Sequence, residues 1–354
     1  MKKVLAIVLT LALVFSLAAC GSKTNDSGSS SGEASGGESS GAASEGEQIV
    51  ISIGHTDSSQ RSTNVYGEWL NDYLSEATDG RITVQMYPDG QAGDDPDIAA
   101  GVKLGTVTMY FGLASVISSI VGDEASCIDL PYLYPTYEDW IKGTFENGGL
   151  ELFNETLEGS GYYCIDMLYN GMRNVISNKK IYHNAADLNG QKVRISQNEL
   201  NVELWKAMGA NPTPMAWGEV ITSLSTGAVD ALDHSIGVFN DFKIYEMAPY
   251  VTITNHCSSP YPLVCSQEWL DSLSDADREL IIDGIHQMCA QQRDAERANE
   301  MQYLEEFEKA GATVYTLTQE ESDAFKESVQ PVYDMWRERV GDELMDKWLA
   351  TVPN

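Results

Sequence analysis

An arginine at the end of a short predicted strand is the residue in this chain best suited to hold an anion. Arg194 lies in the run Lys192–Ile195, which reads as a strand. A guanidinium offers a planar fork of donors that pairs both oxygens of a carboxylate, and it keeps its charge. In open α/β designs the ligand crevice lies beyond the carboxyl ends of strands. Arg194 is therefore a candidate carboxylate-binding residue, with an ordinary surface ion pair as the alternative.

Sequence patterns of catalysis and of metal binding do not support an enzyme. The chain has no G-x-S-x-G nucleophile motif, no P-loop and no dinucleotide-binding fingerprint. His183, His256 and His286 lack the spacing of metal ligands. The acidic run Asp94–Asp97 lacks the spacing of a calcium loop and is better explained by helix N-capping. We expect no catalytic activity, no metal and no cofactor.

The charge of the chain argues against nucleic acid as a partner. Its 354 residues include 22 basic and 53 acidic side chains, which gives a formal net charge of −31. DNA binding requires clustered Lys and Arg. The acidic residues are dispersed along the chain, so their simplest effect is solubility.

The N-terminus predicts a targeting segment. Two lysines precede the apolar run Val4–Ala19, which is too short to span a bilayer comfortably, since spanning takes about 20 residues. The run ends in Leu17–Gly21, which resembles a bacterial lipobox. That resemblance implies a lipoprotein signal peptide over residues 1–19 and a diacylglycerol on Cys20. An ordinary signal peptide with an incidental cysteine is the alternative.

Residues 20–48 are predicted to tether the folded domain. Beyond Cys20 the segment is rich in Ser, Gly, Glu and Ala, a composition that buries too little apolar surface to fold. The remaining cysteines, which lack the spacing of a disulfide framework, are expected to be buried free thiols. Pairing of Cys257 with Cys265 is the alternative.

The rest of the chain alternates between strand and helix patterns, which predicts an α/β fold with largely parallel sheets. It spans roughly 300 residues, and at about 150 residues per domain this indicates two domains. Ser274–Ala310 is the longest pattern, with an N-capping sequence at its start and a glycine after its end. This helix is too long for one half of the chain. It should span both domains or kink near Gly284, and we favour spanning.

From about Ile49 onward the chain resembles the solute-binding subunits of TRAP transporters, the C4-dicarboxylate-binding family. The order and spacing of many segments carry the likeness. These segments are Thr78–Val84, Tyr87–Pro88, Gly90–Asp95, Tyr169–Arg173, Asp187–Ile195, Met208–Met215, Glu219–Val220, Thr226–Ala231, Tyr245–Glu246 and Thr254–His256.

The resemblance implies a bilobed, periplasmic-binding-protein-like (Venus flytrap) fold whose two α/β lobes are bridged by the long helix. We expect residues 49–170 with 260–290 in lobe I, and residues 171–259 with 291–354 in lobe II. The implied function is high-affinity extracytoplasmic binding of a small organic acid and its delivery to the small and large membrane subunits of a TRAP permease. We expect a monomer anchored to the cell membrane. A sensory or ABC-type binding lipoprotein of the same fold is the alternative.

The resemblance also suggests ligand-binding residues. It puts the carboxylate-binding arginine of the family at Arg194 and a second arginine of some relatives at Arg173. Trp217 matches an aromatic against the ligand, although a core position is the alternative. His234 stands where relatives often have an asparagine, so the chain departs from the family pattern there.

Three further residues lie on loops expected near the cleft. These are His55, Asp95 and Asn170.

Overall fold

The computed structural model of the protein describes residues 46–353, whose strands form two mixed sheets. The predicted signal peptide, Cys20 and the tether up to residue 45 lie outside the described residues. The strands are β1 Ile49–Gly54, β2 Ile82–Tyr87, β3 Met109–Phe111, β4 Tyr162–Tyr169, β5 Arg173–Ser177, β6 Lys192–Ile195, β7 Asn211–Pro214, β8 Ala231–Ser235, β9 Tyr250–Cys257, β10 Pro260–Ser266 and β11 Thr313–Thr316.

The first sheet has the order β2-β1-β3-β10-β4, and the second has the order β11-β9-β5-β8-β6-β7. In the first sheet β1 is parallel to β2 and β3, whereas β10 is antiparallel to β3 and β4. In the second, β6 is parallel to β7 and β8, and β5 is antiparallel to β8 and β9. Strand β9 is parallel to β11, so five of the nine strand pairs are parallel and both sheets are mixed, less parallel than the sequence predicted.

Two of the antiparallel pairs, β4 with β10 and β5 with β9, arise because the chain crosses twice between the sheets. β4 leaves the first sheet and continues through residues 170–172 into β5 of the second, and β9 returns through residues 258–259 into β10. One strand of each adjacent pair leaves its sheet and the other enters it, so the two must run in opposite directions.

Helices surround both sheets, and one of them contacts both. The helices are α1 Ser62–Ala77, α2 Asp95–Leu104, α3 Ala114–Val121, α4 Tyr137–Ile141, α5 Gly149–Leu157, α6 Glu199–Ala207, α7 Val220–Ser225, α8 Ile236–Asp241, α9 Gln267–Ser272, α10 Asp275–Lys309, α11 Gln319–Ser328, α12 Gln330–Val340 and α13 Asp342–Ala350.

Helix α10 is the predicted long helix, and it is continuous over 35 residues. The Ser274 side chain accepts a hydrogen bond from the Asp277 N–H, which is the predicted N-cap. The helix packs on α1 and β4 beside the first sheet and on α8 and β11 beside the second. The α/β fold with two sheets joined by a long helix is confirmed.

The last helices pack against elements of both sheets. Trp336 of α12 and Trp348 of α13 are fully buried in a cluster that also holds Trp140 and Trp205. α12 contacts α6 beside the second sheet, while α13 contacts α5 beside the first. In the part of the chain that the structure describes, no helix is both long and apolar enough to cross a membrane.

Candidate functional site

A cavity of about 700 Å³, measured with its open mouth, lies between the two sheets. Part of its wall follows the carboxyl ends of β1, β6 and β7, where open α/β proteins bind ligands. Helices α2, α3 and α8 and strands β8 and β10 supply most of the rest. The polar lining residues are Thr56, Asp57, Asp94, Asp95, Ser115, Ser119, Arg194, Ser196, Gln197, Trp217, His234 and Tyr261.

Two hydrogen bonds join the two sides of the molecule beside this cavity. The Ser115 hydroxyl on α3 lies 3.4 Å from the Ser196 hydroxyl after β6. Asn198 Nδ2 donates to the Ser118 hydroxyl at 2.9 Å. Helix α3 therefore bridges from the first sheet to the loop that follows Arg194, and this contact partly encloses the cavity.

Arg194 is buried at the cavity wall with unused donors. Its exposed fraction is 2%, and Nη2 donates to the Met215 carbonyl at 2.7 Å. Nε and Nη1 have no hydrogen-bond partner within the described residues. Burial lowers the pKa of the guanidinium to about 10, so it stays charged at neutral pH. Because an unpaired buried charge is costly, this arrangement favours an anionic ligand.

Trp217 and His234 surround the guanidinium. Arg194 Cζ lies 5.4 Å from the centre of the Trp217 ring, within range of a cation–π contact. The His234 ring packs edge-on against Trp217 at 5.1 Å. His234 Nδ1 accepts a hydrogen bond from the Ser235 N–H at 2.9 Å, so Nε2 carries the proton. Burial and the charges of three arginines, Arg173, Arg194 and Arg61, hold the pKa of His234 well below its usual range, which leaves a neutral donor at the cavity wall.

Asp95 lies at the start of α2. Its carboxylate accepts hydrogen bonds from the Thr56 hydroxyl at 3.0 Å and from the Tyr110 hydroxyl at 3.1 Å. Burial raises the pKa of Asp95 to about 7, although both hydrogen bonds oppose that rise. The preceding Asp94 caps the helix by accepting from the Asp95 N–H, as the sequence predicted.

Arg61, which the sequence analysis did not single out, forms several ion pairs and hydrogen bonds beside the cavity. Its guanidinium pairs with Asp57 at 3.3 Å and with Glu296 of α10 at 3.0 Å, and it donates to the Asn170 carbonyl at 2.9 Å. Tyr261 donates to the same Asp57 at 3.4 Å. The cavity residue Asp57 is thus fixed to the long helix and to one crossing segment.

The structure does not bring Arg173 to the cavity. Its Nε donates to Asp233 Oδ2 at 2.6 Å, and Nη2 donates to the Asp233 carbonyl at 2.9 Å. Burial alone would lower the pKa of Arg173, but Asp233 outweighs it and the pKa is raised. His256 Nε2 lies 3.2 Å from the same Asp233 carboxylate. Arg173 is the cation of a buried ion pair and does not line the cavity.

Asn170 and His55 also lie outside the cavity lining. Asn170 Nδ2 donates to the Ser259 hydroxyl at 3.0 Å, which ties the two crossing segments together. His55 stacks on Phe111 at 4.4 Å, and its Nε2 lies 3.3 Å from Asn64 Oδ1. Both are buried: Asn170 lies where the two crossing segments meet, and His55 lies at the carboxyl ends of β1 and β3. Four of the seven predicted residues, Asp95, Arg194, Trp217 and His234, therefore share one cavity.

Several lining residues were not predicted. Ser196 and Gln197 directly follow β6, so the rule that ligands bind at the carboxyl ends of strands would have indicated them. Ser115 on α3 and Tyr261 on β10 carry no such local signal, because only the packing of distant segments brings them to the cavity.

Other chemistry finds no support in residues 46–353. No group of three or more His, Cys, Asp or Glu side chains there could hold a metal ion. The five cysteines of this part of the chain are free and buried, as expected. Cys257 lies in β9 of the second sheet and Cys265 in β10 of the first, so the alternative of a disulfide between them is wrong.

Comparisons with known proteins agree with this architecture. The 2,3-diketo-L-gulonate-binding periplasmic protein YiaO of Escherichia coli K12 is 26% identical over 303 residues, which cover 86% of this chain and 88% of the relative. The galactonate complex of the sugar acid binding protein DctPAm of Advenella mimigardefordensis superposes with a TM-score of 0.82 at 24% identity, over 86% of this chain and 98% of the other.

A third similar protein is a TRAP periplasmic solute-binding protein of Ralstonia eutropha H16, solved with (S)-2-acetolactate. It has 27% identity and a TM-score of 0.79, over 85% of this chain and 98% of the other. Residues 53–339 match the family described as DctP, bacterial extracellular solute-binding protein, family 7. This is a family of binding proteins and not of enzymes. The chain therefore belongs to the family 7 extracellular solute-binding proteins, which serve TRAP transporters.

Proposed function

We propose that this protein captures a small solute bearing a carboxylate in the cavity beside Arg194 and delivers it to the small and large membrane subunits of a TRAP permease. The observation that carries the proposal is the buried guanidinium whose Nε and Nη1 have no partner among the described residues. A carboxylate would satisfy both donors at once, since its two oxygens match the guanidinium fork. Relatives named for 2,3-diketo-L-gulonate, galactonate and acetolactate, all carboxylates, support this class of ligand.

Each neighbour of Arg194 has a definite part in this proposal. Trp217 supplies an apolar face against the body of the solute and holds the guanidinium plane. The Nε2–H of His234 donates a further hydrogen bond. Residues 49–170 with 260–290, and 171–259 with 291–354, form the two lobes on either side. The contact of α3 with the loop after β6 is consistent with an arrangement that encloses the bound solute.

Replacement of Arg194 tests the proposal. A thermal-shift screen of organic acids, sugar acids and amino acids first identifies a ligand, because a ligand at 100 times its Kd stabilises by about 2.7 kcal/mol. Truncating one partner of a buried charge pair costs about 2–5 kcal/mol, so Arg194→Ala should weaken binding by roughly 30-fold to several thousand-fold in calorimetric titration. Arg194→Lys should also lose much of the affinity, since one ammonium cannot reproduce two parallel bonds.

The matched control is Arg339→Ala, because Arg339 forms a partly exposed ion pair with Asp123 away from the cavity. That variant should bind as the wild type does. Both Arg194 variants should fold, since no carboxylate of the described residues depends on this guanidinium for a salt bridge. Wild-type affinity in Arg194→Ala would contradict the proposed role, and a collapsed melting temperature without ligand would make Arg194 a structural residue.

We also propose that a lipid on Cys20 anchors the protein to the outer face of the cell membrane. The support is the sequence Leu17–Gly21 after an apolar run, which resembles a lipobox. Cell fractionation tests it: Cys20→Ser should be released to the medium or persist as an unprocessed precursor. A variant that loses its signal peptide normally and still fractionates with membranes would exclude the anchor.

A further inference from the structure

Building on the proposed function, we propose that the solute carries a single carboxylate, bound by Arg194, and presents hydrogen-bond donors to Asp94 and Asp95 at its other end. Those donors are hydroxyl or ammonium groups. A dicarboxylate, the ligand class after which the resembling family is named, is then a poor ligand for this chain.

The charges of the cavity lining are the first support. The lining holds three carboxylates, of Asp57, Asp94 and Asp95, and one permanent cation, Arg194. Asp57 is already paired with Arg61. One ligand carboxylate at Arg194 would use the only cation that lines the cavity. Asp94 and Asp95 would still lack a salt bridge within the described residues, and a second ligand carboxylate would face acceptor oxygens there.

The start of α2 offers that second carboxylate no compensation. Helix N-termini bind anions through N–H groups that have no partner within the helix. Here the Asp95 N–H is capped by the Asp94 side chain at 3.0 Å, and Pro96 has no N–H to offer. The Asp97 and Ile98 N–H groups both donate to the Asp94 carbonyl, at 2.9 and 3.0 Å. This end of the helix therefore presents acceptors and no free donor.

The two ends of the cavity are separate. Arg194 belongs to β6 of the second sheet, whereas Asp94 and Asp95 precede and begin α2 beside the first. Arg194, Asp94 and Asp95 all line the cavity, and none of the salt bridges of the described residues joins Arg194 to either acid. A small solute in this cavity would meet both the cation and the two acidic residues. Such a cavity is complementary to a zwitterion or to a hydroxylated monocarboxylate.

Carbon-matched ligands test the inference, because they differ only at the end away from the first carboxylate. The C4 set is 4-hydroxybutyrate, 4-aminobutyrate and succinate, and the C6 set is D-gluconate, 6-amino-6-deoxy-D-gluconate and D-glucarate. Calorimetric titration of the protein should show the diacid of a set binding at least about 30-fold more weakly than its best monoacid. Preference for the amine or the alcohol within that set identifies the donor.

Asp95→Asn tests which residue sets this preference. The amide keeps the shape of the side chain and removes its charge, so the ratio of monoacid to diacid affinity should fall by about tenfold. Asp97→Asn is the matched control, since Asp97 lies on the same helix turn, is exposed and does not line the cavity. That variant should keep the wild-type ratio. Thermal melts without ligand verify that both variants fold.

The outcomes separate the two proposals. Succinate or D-glucarate binding as tightly as the matched monoacids overturns the inference, and so does an affinity ratio that Asp95→Asn leaves unchanged. In both cases binding that depends on Arg194 would leave the proposed function intact. A protein that binds no carboxylate of either set, nor any in the wider screen, would contradict the proposed function itself.

Discussion

Arg173 and Arg194 are both buried, with exposed fractions of 3% and 2%, yet their guanidinium groups have opposite surroundings. The Arg173 guanidinium donates hydrogen bonds to Asp233 and to the Ser259 hydroxyl. Arg194 keeps two donors without a partner among the described residues. Both are arginines on strands of the same sheet, so residue type and local sequence do not distinguish them. Only the contacts reveal that one stabilises the fold and the other is available to a ligand.

This contrast predicts that Arg173→Met destabilises the folded protein without ligand. The variant leaves the Asp233 carboxylate buried with only His256 beside it. Breaking a buried ion pair by removing one partner costs about 3–5 kcal/mol, which should appear as a lower free energy of unfolding in urea titrations. The pKa of Asp233, which burial would raise and Arg173 holds far below its usual range, would rise in the variant.

Two further variants make this measurement decisive. Arg339→Ala removes a partly exposed ion pair and should change the free energy of unfolding by less than about 1 kcal/mol. Arg173→Met combined with Asp233→Leu removes both buried charges and should recover part of the loss. A single Arg173→Met variant as stable as the wild type would show that this pair does not support the fold.

At the scale of elements, helix α10 shows what the sequence predicts well and what it conceals. Its N-cap at Ser274 and its length follow from local signals. The burial of its polar residues Gln292, Glu296 and Glu300 could not be predicted in this way. Polar residues four apart on a helix normally mark a solvent-facing surface. Gln292 instead pairs with both the N–H and the carbonyl of Tyr169, each at 2.9 Å. The helix thereby fixes the backbone where β4 ends and the first crossing begins.

The alternation of strands and helices is likewise predictable, whereas the crossings between sheets are not. In β2, Ile82 and Val84 are buried and alternate with less buried residues, a pattern that is visible in the sequence. Strand β5 shows no such alternation, since all five of its residues are buried. The antiparallel pairing of β4 with β10 joins residues about 100 positions apart, a relation that no local pattern encodes.

Some residues of the candidate site could likewise be predicted from the sequence, and others could not. Arg194, Trp217 and His234 share the second sheet or its loops, and the resemblance to a known family located them. Arg61 was missed because two of its partners, Glu296 and Asn170, come from distant segments of the chain. A charged residue with such partners has no distinctive sequence context, and its importance follows only from its burial.

For the whole molecule, three acidic side chains of the described residues are shielded from water to different degrees: Asp129 is buried, and Asp95 and Asp241 are partly buried. Asp95, Asp129 and Asp241 each have a pKa raised to about 7, in each case chiefly by burial, and in the latter two a nearby arginine opposes the rise. In the unfolded chain these carboxyls would titrate near 3.9. The folded protein must therefore hold charged carboxylates in a poorly solvated place above pH 7, while the unfolded chain ionises them freely.

The sign of the resulting pH dependence follows from proton linkage. Between pH 4 and 7 the folded state binds more protons at these three carboxyls than the unfolded state does, so they favour folding less as the pH rises through about 7. Burial lowers the pKa values of His55, His234 and His256, so these histidines make the folded state more stable as the pH rises. This gain ends near pH 6.5, where histidines of the unfolded chain have lost their protons. His286, whose pKa Asp166 raises, adds to the loss at higher pH.

We therefore expect the protein without ligand to become less stable as the pH rises from about 6.5 to 8. The loss should be on the order of 1–2 kcal/mol in total, since the carboxyls are only partly deprotonated at the start of this range. Thermal melts at constant ionic strength measure it as a falling melting temperature. Asp241→Asn should make the decline shallower, because the amide keeps the shape beside Arg61 and does not titrate. A melting temperature that stays level or rises over this range would contradict the burial of these three acids.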